Sequence, residues 1–151
     1  MFYQLKLRGI NCELVTEVAK DFVWSKRYEC MKCQPLIFGK QLYRIERLID
    51  KVDFVITDSP ILLSAVYGQI MGYQDSFRRS VIDIFNNFEN ENIYIERVKP
   101  YSGIGRRQSE ESARGVDEKV LNFLLDNCIK FTKIKGNADG VLQIVDKLEI
   151  E

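Results

Sequence analysis

Four short runs rich in β-branched and aromatic residues punctuate this chain: Asn11 to Val15, Val52 to Thr57, Ile93 to Val98 and Ile129 to Ile134. Longer segments of helical period separate them, and that alternation constrains the fold more than any other feature. Strands joined through helices can pair in parallel, because a parallel pair needs a crossover of about a dozen residues or more, whereas an antiparallel hairpin needs a tight turn. Phe38, Leu42, Ile45 and Leu48 recur at helical spacing, as do Val116, Val120, Phe123 and Leu124. Each set lays one apolar stripe along a helix. Tyr73 to Phe88 and Val141 to Leu148 read as two further helices, and Glu110 and Glu111 place negative charge in the first turn of the helix after Ser109, where the macrodipole favours it. The expectation is an α/β fold of three layers: a mainly parallel sheet with helices on both faces.

Composition bounds the size and the environment. With 151 residues and 46% hydrophobic content, the chain fills one ordinary domain, 1–151, and leaves no room for a second. Its 22 basic and 22 acidic residues cancel, so the whole-molecule field favours neither nucleic acid nor an anionic membrane. No apolar run approaches the roughly 20 residues that span a bilayer, and the start MFYQLKLRGINCELV lacks the basic-then-apolar order of an export signal. A cytoplasmic protein is expected. Cys12, Cys30, Cys33 and Cys128 show no disulfide-framework spacing and are expected as free thiols. Cys30 and Cys33 form a lone C-x-x-C without a second pair, and the chain has no histidine. A four-ligand zinc site would therefore have to recruit Cys12, Cys128 or carboxylates. The lack of histidine also removes the usual general base, leaving acid–base chemistry to carboxylates.

Ligands of parallel α/β sheets bind at the carboxyl ends of the strands, which singles out three clusters. Thr16 and Glu17 follow the first strand, and Asp58-Ser59-Pro60 follows the second. The third is the loop from Arg97 to Gln108, where Arg97, Lys99, Arg106, Arg107 and, just beyond, Arg114 outnumber Glu110 and Glu111. Arginine forks can close over phosphate oxygens while a carboxylate such as Asp58 orders Mg²⁺ through water. Other roles fit the same residues. Asp58 can cap the helix whose apolar residues begin at Ile61, Glu17 can face water in an early helical turn, and the arginines can pair with Glu110 and Glu111 at the surface.

The order RGINCELVTEVAKDF, QPLIFGKQLYRIERL, VDFVITDSPILLSAVYG and IERVKPYSGIGRRQSEESARGVDEKVLNFL resembles the phage-encoded P-loop nucleoside and nucleotide kinase-like ATPases, often labelled AAA-domain proteins, from about Leu5 to the C-terminus. The resemblance implies that Asp58 is the Walker B acid, that Glu17 lies on the acceptor side, and that Arg97, Arg106, Arg107 and Gln108 belong to a lid over nucleotide. One departure stands out. The family opens with a strand and a G-x-x-x-x-G-K-[ST] loop, whose backbone N–H groups, lysine and following helix cradle the β and γ phosphates. This sequence contains no such motif, and Met1 to Gly9 reads as the last turns of the helix that would follow it.

Two functions follow from the resemblance and its departure. The first is a non-catalytic, phage-type binding protein for a protein partner or a nucleotide-like ligand, including inhibition of host defence, with Arg97, Arg106, Arg107, Gln108 and Arg114 as the contact surface. The second is a nucleoside or nucleotide phosphotransferase or NTPase in which Asp58 orders Mg²⁺ beside ATP and Glu17 positions an acceptor hydroxyl, its phosphate loop being supplied from elsewhere. The resemblance also puts the absent strand at the centre of the sheet, between the strand ending at Thr57 and the strand from Ile93. The expectation is that the sheet closes up or that the protein associates, since open apolar strand edges are costly.

Overall fold

The structure is a computed structural model that describes residues 1–98 and 110–148, the side chains of 110, 112 and 113 excepted. In chain order it has α1 (Phe2–Leu7), β1 (Cys12–Val15), α2 (Val18–Trp24), a 3₁₀ turn (Tyr28–Lys32), α3 (Gln34–Glu46), β2 (Phe54–Thr57), α4 (Leu63–Ile70), α5 (Asp75–Phe85), β3 (Ile93–Glu96), α6 (Glu110–Asp126), β4 (Thr132–Lys135) and α7 (Ala138–Lys147). The alternation of strand and helix read from sequence is present. Helix α2 is an addition, buried through Val18 and Phe22. Helix α4 escapes a periodicity reading because it is apolar nearly all round, with Ala65, Val66 and Gly68 buried.

Helix termini explain where the elements begin. Gly9, at φ 77°, ends α1 in a left-handed turn: Gly9 N donates to Lys6 O at 3.1 Å and Ile10 N to Leu5 O at 3.2 Å, which satisfies two otherwise orphaned carbonyls. The same closure recurs after α4, where Tyr73 N donates to Gly68 O, and after α6, where Ile129 N donates to Leu124 O, both at 2.9 Å. Tyr73 and Ile129 therefore cap the preceding helices. The helix expected from Tyr73 starts at Asp75, and the strand expected from Ile129 starts at Thr132.

All pairing is parallel, as expected, but the strands do not form one sheet. β1 pairs with β2 in the register Cys12 to Phe54, and β3 pairs with β4 in the register Ile93 to Thr132, giving two separate two-stranded sheets. Among the described residues no backbone hydrogen bond joins them. Of the routes expected for closing the sheet, direct pairing of β2 with β3 is not found among the described residues. Helices hold the two halves together instead. Ile61, Leu62, Ala65 and Val66 around α4 share a core with Val81 and Phe85 of α5 and with Phe123 and Leu124 of α6, and Tyr94 of β3 packs against it. A second core joins Leu5 of α1, Ile10, Cys12 of β1 and Ile56 of β2 to Val145 of α7, the helix that follows β4. The two strand pairs are thus linked through packed side chains and not, among the described residues, through a backbone ladder.

The turn from β4 into α7 is tight. Asn137 caps α7 by accepting from Gly140 N at 2.9 Å, and a Cβ on Gly140 would lie 2.2 Å from Lys135 O. Gly140→Ala must therefore push α7 off the end of β4. We expect a loss of about 2 kcal/mol or more, read as a lower urea midpoint at unchanged slope. Gly115→Ala, inside α6 where a Cβ would meet nothing within 4 Å, is the clash-free control and should stabilise by up to about 1 kcal/mol.

Candidate functional site: the cationic cleft at the end of β1

The carboxyl ends of β1 and β2 lie side by side, because Val15 is in register with Thr57. Glu17 and Asp58 follow these two residues and so are brought to one end of the same strand pair. Glu17 is half-buried at the N-cap of α2 and Asp58 is exposed. Asp58 does not cap α4: that helix begins after Leu62, with Pro60 O accepting from Leu63 N at 3.0 Å.

Gln41 organises this end of the molecule. It sits on the inward stripe of α3 and is 2% exposed. Its Oε1 accepts from Val18 N at 3.1 Å, supplying a partner to the first turn of α2, and its Nε2 donates to Thr57 Oγ1 at 3.3 Å. Thr57 Oγ1 also accepts from Ser59 N at 3.1 Å, which fixes the turn that carries Asp58. One buried amide thus sets the positions of both strand-end turns. The sequence held a signal for it: Gln41 is a polar residue falling on the apolar stripe of Phe38, Leu42 and Ile45.

The outward side of the same helix builds a cleft. Lys40, Arg44 and Arg47 recur at helical spacing beside Tyr43, and with Leu14 and Thr16 they line an open cleft of about 470 Å³. Arg44 is held in place. Its Nη1 donates to Thr16 O at 3.0 Å and its Nη2 to Asp21 Oδ2, clamping α3 to the β1–α2 turn. Lys40 and Arg47 have no carboxylate partner among the described residues, and the ring of Tyr43 is 66% exposed. Three cations around one concavity with a single matching carboxylate leave it electropositive. The arrangement can hold an anion with Lys40 and Arg47 and offers the Tyr43 face to a planar group. Sequence reasoning passed over these cations because they lie in a helix and not in a strand-end loop.

Among the residues singled out from sequence, Arg97 is committed elsewhere. It forms a two-pronged pair with Asp117 of α6, Nε to Oδ2 at 3.1 Å and Nη2 to Oδ1 at 3.0 Å, which ties the end of β3 to that helix. Burial, with the Asp117 carboxylate second, pushes the neighbouring Tyr94 hydroxyl above its ordinary pKa. Arg114 is exposed on α6, and Arg106, Arg107 and Gln108 lie outside the described residues. Cys12 is buried in the second core, while Cys30 and Cys33 are half-buried free thiols at the 3₁₀ turn. Among the described residues no group of three cysteine, aspartate or glutamate side chains could hold a metal ion.

A second groove, about 480 Å³, runs between α4, α5 and α6. Arg78 there is already matched, to Asp75 at 2.6 Å and Asn127 at 2.8 Å. The hydrogen bond from Arg78 holds the Asp75 carboxyl below its usual range. No strand residue lines that groove, and the cleft at α3, lined by the end of β1, is the better candidate. Among the described residues no helix is long and apolar enough to cross a membrane. Comparison with protein-family models, curated proteins and solved structures finds no match to this chain.

Proposed function

We propose that this chain is a non-catalytic binding protein on a P-loop-kinase-like scaffold, and that it takes a phosphate-bearing small ligand of nucleotide type into the cleft of Lys40, Tyr43, Arg44 and Arg47. The cleft itself carries the reading: it lies at the carboxyl end of β1, holds three cations and, among the described residues, has a carboxylate partner for only one of them. The kinase-like scaffold is supported by the resemblance in residue order and by the parallel pairing of β1 with β2 and of β3 with β4. Catalysis finds less support. An ATP triphosphate needs a row of preorganised backbone donors, and the 151 residues hold no G-x-x-x-x-G-K-[ST] segment. The donor set for Mg²⁺ is also thin: Asp58 and Glu17 are the carboxylates at these strand ends, and among the described residues no group of three acidic side chains is gathered there. These residues do not fit an ATP–Mg²⁺ site by themselves.

Calorimetric titration of the whole chain with AMP, with adenosine and with inorganic phosphate tests the reading. AMP should bind, adenosine should bind at least tenfold more weakly, and raising the salt from 50 to about 300 mM should weaken the AMP complex, as for any phosphate held by lysine and arginine. Lys40→Ala with Arg47→Ala should cost at least tenfold in AMP affinity while leaving the urea midpoint within about 0.5 kcal/mol, because both side chains are exposed. Equal binding of AMP and adenosine, or an unchanged double variant, would overturn the assignment.

The phosphotransferase reading rests on one observation, the convergence of Glu17 and Asp58 at neighbouring strand ends. Magnesium-dependent release of phosphate from ATP by the purified chain, abolished in Asp58→Asn, would establish it in place of the binding role.

A further inference from the structure

Cys30 and Cys33 take no part in the anion cleft, yet the fold gives this pair a defined geometry. Cys30 lies in the 3₁₀ turn Tyr28–Lys32, and Cys33 ends that turn immediately before α3. Cys33 N donates to Cys30 O at 3.3 Å, so the i to i+3 bond closes around the two cysteines themselves. Three residues of 3₁₀ rise set the two Cα atoms about 6 Å apart, with the side chains eclipsed on one side of the turn. A disulfide spans about 4.4 to 6.8 Å between Cα atoms. One residue earlier, side chains at the same spacing already meet: Lys32 Nζ lies 2.8 Å from Glu29 Oε2.

The turn is held from both sides. Cys30 N donates to Arg27 O at 3.1 Å, and Cys33 O accepts from Ile37 N at 3.2 Å, which binds Cys33 into the first turn of α3. Pro35 presets the helical backbone just beyond it. The pair is also reachable, because both cysteines are half-buried and the flanking Glu29 and Lys32 are exposed. The other two cysteines stand apart: Cys12 is buried in the second core, and Cys128 follows the end of α6. Zinc does not suit the pair. Two thiols supply half of its usual ligands, and among the described residues no third cysteine or carboxylate gathers with them to hold a metal ion. The chemistry open to two neighbouring thiols by themselves is a two-electron exchange with a disulfide.

We propose that Cys30 and Cys33 form a thiol–disulfide exchange site, which reduces a small disulfide of the glutathione type and closes a Cys30–Cys33 bond in doing so. One cysteine, as its thiolate, attacks a sulfur of the substrate; the substrate S–S bond breaks, and the departing thiol takes up the proton that the cysteine gave up. A mixed disulfide remains. The second cysteine then attacks the sulfur of the first, the Cys30–Cys33 bond forms, and the second substrate thiol leaves with the second proton. The substrate disulfide thus gains two electrons and two protons, and the two protein thiols lose them. The closed turn makes this second step intramolecular, with little chain freedom left to give up. The site stands or falls independently of ligand binding in the anion cleft.

Equilibration of the whole chain in buffers of reduced and oxidised glutathione tests this, followed by acid quenching, alkylation of free thiols, trypsin digestion and mass spectrometry. Trypsin cuts after Arg27, Lys32 and Lys40, so the two cysteines fall in separate peptides, Tyr28–Lys32 and Cys33–Lys40, which stay joined only through the new bond. The joined pair should accumulate as oxidised glutathione rises and vanish when reduced glutathione is restored. Its equilibrium constant should be at least tenfold larger in the folded chain than in the same chain in concentrated urea, where the turn is lost. In Cys30→Ser and in Cys33→Ser the remaining thiol should stop as a mixed disulfide with glutathione, whereas Cys128→Ser should leave the joined pair unchanged. Circular dichroism of each variant checks that it is folded. Glutathione adducts on Cys30 or Cys33 of the unaltered chain with no joined pair, no reaction of either cysteine, a bond to Cys12 or Cys128 instead, or equal constants with and without urea would each overturn the proposal.

Discussion

Leu5→Ala is expected to destabilise the protein by about 3 to 5 kcal/mol, the range for removing a fully buried leucine side chain from a site that cannot collapse around the loss. Leu5 has no exposed surface, and it is packed among Ile10, Cys12, Ile56 and Val145. Collapse is hindered from several directions. The carbonyl of Leu5 is tied to Ile10 N by the left-handed turn at Gly9, and Arg8 pairs with Asp146 of α7 at 2.7 Å, so α1 is fixed at its end and along its flank. A helix of six residues has little stability of its own, and its persistence depends on this packing. The residue also bears on the link between the two sheets, because Val145 belongs to the helix after β4 while Cys12 and Ile56 belong to β1 and β2. Urea denaturation followed by fluorescence should show the loss as a fall in midpoint. Leu7→Ala, on the same helix but 62% exposed, should change stability by less than about 0.5 kcal/mol. Similar effects at the two positions would mean that α1 does not pack as described.

Gln41→Leu should cost about 2 to 4 kcal/mol and disturb the cleft as well. The replacement is close in size, so little of the effect comes from volume. Instead it leaves the N–H of Val18, a residue 1% exposed, without its acceptor, and it removes the donor to Thr57 Oγ1. An unpaired buried group costs about 1 to 3 kcal/mol, and here two contacts are lost. The β1–α2 turn carries Thr16, whose carbonyl anchors Arg44, so AMP affinity should fall in the same variant by several fold. A double-mutant cycle separates the pieces. With Thr57→Val, the second substitution should add less than its effect alone, because the shared hydrogen bond can be lost only once. Strict additivity would place the two residues in separate environments.

Much of the fold was legible before any coordinates. The stripe of Phe38, Leu42 and Ile45 and that of Val120, Phe123 and Leu124 locate α3 and α6, and the β-branched runs locate all four strands. Boundaries failed where one backbone amide had two possible uses. Ile129 and Tyr73 suit a strand and a helix by side chain, yet their N–H groups close the preceding helices. The site was less legible. Glu17 and Asp58 were found because strand ends are predictable places, whereas Lys40, Arg44 and Arg47 gather into a cleft only once α3 lies against the end of β1. Arg97 shows the converse: a cation in a promising loop whose charge is matched by Asp117, distant in sequence.

Local sequence fixes periodicity, turn chemistry and the parallel sense of pairing, since each depends on residues within a helical turn or on the length of a connection. Tertiary structure alone decides that, among the described residues, the strands pair two by two, and that three cations of one helix share a cleft. Those outcomes depend on which surfaces meet across the molecule, a sum over distant contacts that no stretch of the chain encodes by itself.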